Sequence, residues 1–308
     1  MITNIVTASA ITKAASRQTY YTIRLLVDRD RVDDAYRAYA YFRWVDDILD
    51  AESTSGPERS AFLDRQKSLL EKCYRGESFP DATIEEKMLV ELVQHDHEKN
   101  SGLQTYLRNM MQVMDFDAKR RGSLISQVEL NEYTRWLATA VMECIHYCIG
   151  HDEFAPHDET RYLAVSAAHI THMLRDTFDD VQLGYYNIPR EVLDANHRGP
   201  QDAQHDAYRA WVKSRVQLAR EYFKAGKEYF ARVENPRCRL ACFAYVARFE
   251  WLLDTIEKEG YLLRPQYHER KSAGIGLWMS WLTLLSMIRL QKVHILPEPD
   301  VSRPLGKL

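Results

Sequence analysis

The sequence of 308 residues is long enough for one large domain or two ordinary ones, and its 45% content of hydrophobic residues allows a sizeable core. Its 41 lysines and arginines nearly balance its 44 aspartates and glutamates, and the net charge of −3 argues against nucleic acid or an anionic membrane as the main partner. No signal peptide is evident, and the odd number of 5 cysteines favours a reducing, cytoplasmic location.

Long stretches with helical periodicity alternate with breaks that contain glycine or proline. The segments between these breaks are mostly too long for strands. Neither alternating β-branched residues nor the βαβ rhythm of a nucleotide-binding sheet occurs. The sequence therefore predicts an all-α fold, a single-domain bundle of about ten helices over residues 1–296. Residues 297–308 are predicted to form a loose C-terminal tail.

The first unusual stretch is Tyr39–Asp50, which reads YAYFRWVDDILD. If it is helical, spacings of four, three and four residues place a phenol, a guanidinium and two carboxylates on one face. These residues are Tyr39, Arg43, Asp46 and Asp50. A face that only packs in a core would be apolar, and one that only meets water would not interleave so many aromatic residues. The stretch predicts the wall of a polar site in an apolar body.

Apolar and aromatic residues gather on the predicted helices around this stretch. They include Tyr20 before it, Tyr133, Leu137, Val141 and Met142 on the helix Val128–Ile149, and Phe249 near the end of the chain. Taken one by one, such residues indicate an ordinary core. Around the polar site, the same residues would line an apolar tunnel whose aromatic rings face a cation.

A second acidic stretch, His172–Pro189, reads HMLRDTFDDVQLGYYNIP. His172, Asp176 and Asp180 share one helical face, and Arg175 lies beside them. Clustered carboxylates resist desolvation and need a counter-charge. Magnesium prefers oxygen ligands and commonly bridges carboxylates to substrate phosphates. The two stretches together predict a metal–diphosphate site.

In this site each polar residue has an expected role. Magnesium would be bound by Asp46, Asp50, Asp176 and Asp180. Phosphate oxygens would accept hydrogen bonds from Arg43, Arg175 and Tyr39.

The apolar stretch Ile275–Ile288 is shorter than the roughly 20 residues of a membrane-spanning helix. It predicts a buried helix, with peripheral membrane contact as the alternative.

These residues resemble the squalene and phytoene synthase family. YAYFRWVDDILD and LRDTFDDVQLGYYNIP are similar to its two aspartate-rich motifs, and RFEWLLDTIEKEGY, Arg248–Tyr261, is similar to a later helix. The resemblance implies a class I isoprenoid synthase fold with two or three magnesium ions. It also implies a prenyltransferase that joins two farnesyl or geranylgeranyl diphosphates head to head through a cyclopropylcarbinyl diphosphate.

Five positions depart from the family pattern. His172 replaces an asparagine, Tyr185 an arginine, Phe249 a tyrosine and Tyr20 a phenylalanine, and Met142 stands where small residues are usual. Met142 would shorten or plug the tunnel. The resemblance implies that Tyr20, Leu137, Val141, Met142 and Phe249 contact the prenyl chain.

The final steps of the reaction stay open at this stage. Released diphosphate or Tyr133 would take the last proton. The sequence contains no dinucleotide fingerprint, so a product formed without NADPH is favoured. Two other functions stay open: a class I terpene synthase that uses a single prenyl diphosphate, and a catalytically silent relative that acts as an assembly factor. The oligomeric state is not predicted.

Overall fold

A computed structural model describes residues 2–51, 53–202 and 205–267. These residues contain 11 α-helices: α1 (Ile2–Ala15), α2 (Arg17–Leu26), α3 (Val32–Asp50), α4 (Gly56–Tyr74), α5 (Glu86–His95), α6 (Gly102–Arg120), α7 (Gln127–Cys148), α8 (Leu163–Leu183), α9 (Arg190–Asn196), α10 (Arg209–Arg232) and α11 (Pro236–Lys258). The β-structure in this part of the chain is an isolated bridge between Leu124 and Tyr186. The predicted all-α fold is therefore confirmed.

Three earlier predictions fall on residues 268–308, which lie outside the described residues. They are the helix at Ile275–Ile288, the domain boundary at 296 and the C-terminal tail. Within the described ranges, none of the helices is long and apolar enough to cross a membrane. All 5 cysteines are free.

Several helices begin at a serine whose side chain caps the first turn. At α7, the Ser126 hydroxyl accepts a hydrogen bond from the Glu129 amide at 3.2 Å, and the Glu129 carboxylate accepts one from the Ser126 amide at 2.7 Å. Ser55 and Glu58 form the same reciprocal pair at α4. Because the first amides of a helix lack partners within it, these pairs fix where the helices start.

One apolar core runs through the bundle, and α8 is packed deep within it. The closest helix pairs include α6 with α7 and α8 with α10. Gly226 on α10 allows the second contact, because a Cβ atom there would lie 2.4 Å from the Cβ atom of Ala164 on α8. Residues 164–171 of α8 are buried on all sides, and each fully buried large apolar side chain contributes about 1.5–3 kcal/mol.

The end of α8 is fixed by Gly184. Its φ of 86° is left-handed, and the Tyr185 amide donates to the Asp180 carbonyl at 2.7 Å to close the helix. A Cβ atom on Gly184 would also lie 3.3 Å from the Gly122 nitrogen. The Gly122 amide donates to the Gly184 carbonyl at 2.8 Å, so the loop after α6 is held against the loop after α8.

Candidate active site

Arg121 ties together the carboxyl ends of α3 and α8, the two helices that carry the aspartate motifs. Its guanidinium donates to the Leu49 carbonyl at 3.2 Å and to the Leu183 carbonyl at 3.1 Å. The last carbonyls of a helix have no partner within it, so one cation satisfies both ends. The last turns of these helices, which carry Asp50 and Asp180, are thereby brought to one end of the bundle.

The segment that follows α8 connects the two motifs directly. The Tyr185 hydroxyl donates to Asp50 Oδ1 at 3.0 Å, and Asn187 Nδ2 donates to Asp180 Oδ2 at 2.7 Å. Asn187 Oδ1 in turn accepts from Arg120 Nη1 at 2.7 Å. The segment after α8 therefore binds the second carboxylate of each motif, Asp50 through Tyr185 and Asp180 through Asn187.

Asp117 on α6 lies between the motifs, and the sequence analysis missed it. Its carboxylate accepts from Arg120 Nε at 2.7 Å and from the Tyr133 hydroxyl at 2.8 Å. Burial raises the pKa of Asp117, and the Arg120 charge opposes this. Asp117 also helps to raise the pKa values of Asp46 and Asp180, so its charge acts on both motifs.

Asp117, Arg120 and Asn187 gave only a weak signal in the sequence. Asp117 and Arg120 lie one turn apart in MDFDAKRRG, a charge pattern typical of a solvent-exposed helix face. Arg120 is buried and Asp117 partly buried because α6 packs against α7. The tyrosine at position 185, where the family pattern has an arginine, packs against two arginines. Its ring centroid lies 5.1 Å from the Arg120 guanidinium and 5.9 Å from that of Arg121, so two arginines from α6 and the following loop surround the position.

The carboxylates of the site outweigh its positive charge. Burial, followed by the charge of Asp50, raises the pKa of Asp46 to about 6 against the opposing effect of Arg43. Burial, followed by the charge of Asp176, raises the pKa of Asp180 to about 7. Both motifs end at helix carboxyl termini, where the helix dipole disfavours anions. This donor set suits a hard cation such as magnesium.

The protein does not enclose such a cation by itself. Within the described ranges, no three histidine, cysteine, aspartate or glutamate residues converge closely enough to hold a metal ion. Magnesium usually keeps several waters and binds one or two carboxylates together with substrate phosphates. The open arrangement of the two motifs fits that mode of binding better than an all-protein cage.

Both arginines predicted to bind phosphate are paired with acids in this structure. Arg43 bonds to Asp46 at 3.2 Å and forms a second ion pair with Asp47. Arg175 makes two bonds to Asp176, of 2.6 and 2.7 Å. Both arginines are partly exposed, so an anionic ligand can reach them without unfolding the site.

His172 contacts both its own motif and α11. Its Nε2 atom lies 2.6 Å from Arg175 Nη2, and its Nδ1 atom lies 3.3 Å from the Asp176 carboxylate. Its ring centroid lies 6.4 Å from that of Phe249, whose ring in turn lies 5.6 Å from Tyr245. The structure thus brings Phe249 to the second motif.

The other predicted tunnel residues occupy different depths of the bundle. Met142 is completely buried in the core, whereas Leu137 and Val141 on the same helix are partly buried. Tyr39 is partly buried one turn before Arg43. Tyr20 lies on α2, where its ring contacts Tyr21 of the same helix and Tyr36 of α3.

Comparisons with known proteins identify the family of this chain. The family model for squalene/phytoene synthases matches residues 12–272. A 15-cis-phytoene synthase from Synechocystis sp. is 25% identical over 290 residues, which cover 86% of this chain and 81% of that protein. A presqualene diphosphate synthase from Zymomonas mobilis is 27% identical over 188 residues, 60% of each chain.

Two solved structures share the fold. A squalene synthase from Alicyclobacillus acidocaldarius superposes with a TM-score of 0.66 at 20% identity, covering 85% of this chain and 95% of that one. A dehydrosqualene synthase with a bound ligand gives a TM-score of 0.65 at 16% identity, covering 95% and 96%. The fold is therefore of the isoprenoid synthase type. Because the family model spans most of the sequence, the chain belongs to the squalene/phytoene synthase family of prenyl-transferring enzymes.

Proposed function

We propose that this enzyme condenses two prenyl diphosphates, of farnesyl or geranylgeranyl length, head to head in a magnesium-dependent reaction. The observation that carries this proposal is the excess of carboxylate at the joined ends of α3 and α8, where Asp117 acts on both motifs. The two curated relatives, named for phytoene and presqualene diphosphate synthesis, support this reaction class.

Four aspartates would hold the metal: Asp46, Asp50, Asp176 and Asp180. Bound magnesium supplies positive charge that stabilises the diphosphate as it departs. Arg43 and Arg175 would exchange their present carboxylate partners for phosphate oxygens, which a guanidinium binds through two parallel hydrogen bonds. The network through Arg120 and Asn187 keeps the second motif in place, so little reorganisation is needed when substrate binds.

In the first step, the bond between C1 and the diphosphate oxygen of one substrate breaks, and the diphosphate leaves with the electron pair. The double bond of the second substrate attacks the resulting allylic cation. Loss of one proton then closes the cyclopropane ring of a cyclopropylcarbinyl diphosphate. Burial raises the pKa of Tyr133 well above its ordinary value, so its phenol stays protonated. This favours the released diphosphate, rather than Tyr133, as the proton acceptor.

Purified enzyme incubated with magnesium and either substrate should release diphosphate and form a product with a doubled carbon skeleton. The double variant Asp46→Asn/Asp176→Asn should lower turnover by at least about 100-fold, the loss typical of removing one electrostatic contact to a transition state. Its far-UV circular dichroism should stay helical. The control Asp33→Asn/Asp194→Asn removes two exposed carboxylates, on α3 and α9, and should keep full activity.

Product mass separates the remaining functions. An unchanged carbon skeleton would replace condensation by a single-substrate reaction, in which the fully buried Met142 would block a second tunnel and leave room for one prenyl chain. Absence of diphosphate release from any prenyl chain length would overturn the catalytic proposal and favour a silent assembly factor.

A further inference from the structure

A groove of about 880 Å³ lies between α7, α8 and α10, and it contains none of the four motif aspartates. Thr134 contributes to it from α7, Ser166 and Ile170 from α8, and Arg215, Leu218 and Tyr222 from α10. Its size falls within the range of about 300–1,000 Å³ typical of small-molecule sites. The groove is therefore large enough for a ligand of its own.

Arg215 is the unusual residue of this groove. It is only 8% exposed, yet the described residues give its guanidinium neither a hydrogen-bond acceptor nor a carboxylate partner. Burial lowers the pKa of Arg215. A buried cation without a partner is strongly unfavourable, so the folded protein gains when an anion reaches it.

The nearby carboxylates do not supply that anion. Glu143 accepts from Arg161 Nη2 at 3.0 Å and from the Tyr162 hydroxyl at 2.7 Å. Asp158 is paired with Arg232 at 2.8 Å. Glu159 is exposed at the edge of the groove. The positive charge of Arg215 is thus left for a ligand.

We propose that this groove binds a small amphipathic anion, whose phosphate or carboxylate group pairs with Arg215. A guanidinium binds either group through two parallel hydrogen bonds. The apolar body of the ligand would lie along Leu163, Ile170 and Leu218, which line the same groove. Ser166 and Tyr222 flank these residues with hydroxyl groups. The site is independent of the aspartate motifs and of the reaction proposed for them.

Isothermal titration calorimetry with octyl phosphate, in the presence of EDTA, tests the proposal. The wild type should bind one equivalent, and Arg215→Met should bind at least about 30-fold more weakly because the ion pair is lost. Lys224→Met is the matched control, since it removes an exposed positive charge from the same helix, and its affinity should equal that of the wild type. Octanoate in place of octyl phosphate shows whether the site prefers a carboxylate, and neutral octanol should not bind.

Two further variants keep the test decisive. Leu218→Glu places a carboxylate one turn from Arg215, so it should abolish binding and raise the Tm of the ligand-free protein. The double variant Asp46→Asn/Asp176→Asn should bind octyl phosphate as the wild type does. Undiminished binding by Arg215→Met or by Leu218→Glu would overturn the proposal. So would loss of binding in the aspartate variant, or failure of the wild type to bind either anion.

Discussion

The aspartate site and the Arg215 groove are charged in opposite ways. At the aspartate site carboxylates exceed the cations near them, and the pKa values of Asp46 and Asp180 are raised to about 6 and 7. In the groove a buried guanidinium lacks a carboxylate, and burial lowers its pKa. Both arrangements are unfavourable until a ligand of opposite charge binds. The comparison therefore indicates a cation site and an anion site within one helical bundle.

The two sites differ in how far the protein compensates for its own charge. The partly buried Asp117 and the buried Arg120 form a hydrogen-bonded ion pair inside the aspartate site, and Asn187 extends it to Asp180. Arg215 has no such support among the described residues. The aspartate site is thus held in position before its ligands arrive, whereas the groove depends on its ligand for the missing charge.

The largest effect is expected from breaking the internal pair. Arg120→Met leaves the partly buried Asp117 without its cation and should lower the free energy of unfolding by about 3 kcal/mol, measured by urea denaturation. Arg108→Met on the same helix removes an exposed ion pair with Glu71 and should change it by about 1 kcal/mol or less.

The double variant Arg120→Met/Asp117→Asn should recover part of the loss, because the stranded charge is then removed as well. Equal effects of Arg120→Met and Arg108→Met would mean that the pair between the motifs contributes no more than a surface contact.

A smaller effect is expected from pH in metal-free protein. Asp46 and Asp180 have pKa values of about 6 and 7 when folded, above the ordinary value of about 4 for an unfolded chain. The folded state then binds more protons between these values, so the free energy of unfolding should fall as pH rises from about 4 to 7. Differential scanning calorimetry in EDTA measures this slope.

Two comparisons sharpen this result. Asp180→Asn should flatten the dependence of the free energy of unfolding on pH and raise the Tm at neutral pH, because it removes one uncompensated carboxylate. Leu218→Glu should likewise raise the Tm, because it supplies the carboxylate that Arg215 lacks. Added magnesium should restore stability at neutral pH by supplying the missing cation. A stability that rises with pH in EDTA would contradict the proposed excess of negative charge.

The helices and the motif residues were predictable because local spacing determines them. Asp46 and Asp50, like Asp176 and Asp180, are one turn apart, so helical periodicity alone places each pair on one face. The all-α fold followed from the same periodicity and from glycine and proline at the breaks.

The supporting residues were not predictable, because separate elements bring them together. Arg121 follows α6, yet its contacts are the last carbonyls of α3 and α8. Arg215 lies in WVKSRVQLAR, where basic residues surround it and suggest an exposed face. Its burial depends on the close approach of α10 to α8 at Gly226. Only the packed bundle shows that Arg121 is hydrogen-bonded to two helix ends, whereas Arg215 lacks an acceptor among the described residues.

The smallest effect is expected from Tyr185→Phe. It removes the hydrogen bond to Asp50 and should lower the free energy of unfolding by about 1 kcal/mol in EDTA. The same change leaves Asp50 less compensated, so stabilisation by magnesium should become larger than in the wild type. Urea denaturation with and without magnesium measures both effects.

Tyr186→Phe is the matched control, because its backbone forms the bridge to Leu124 and survives the substitution. The free energy of unfolding of Tyr186→Phe should equal that of the wild type both in EDTA and with magnesium. If Tyr185→Phe behaves in the same way, the bond to Asp50 does not contribute to the aspartate site. The hydrogen-bonded connection between α3 and α8 would then depend on Arg121, whose contacts do not involve the Tyr185 hydroxyl.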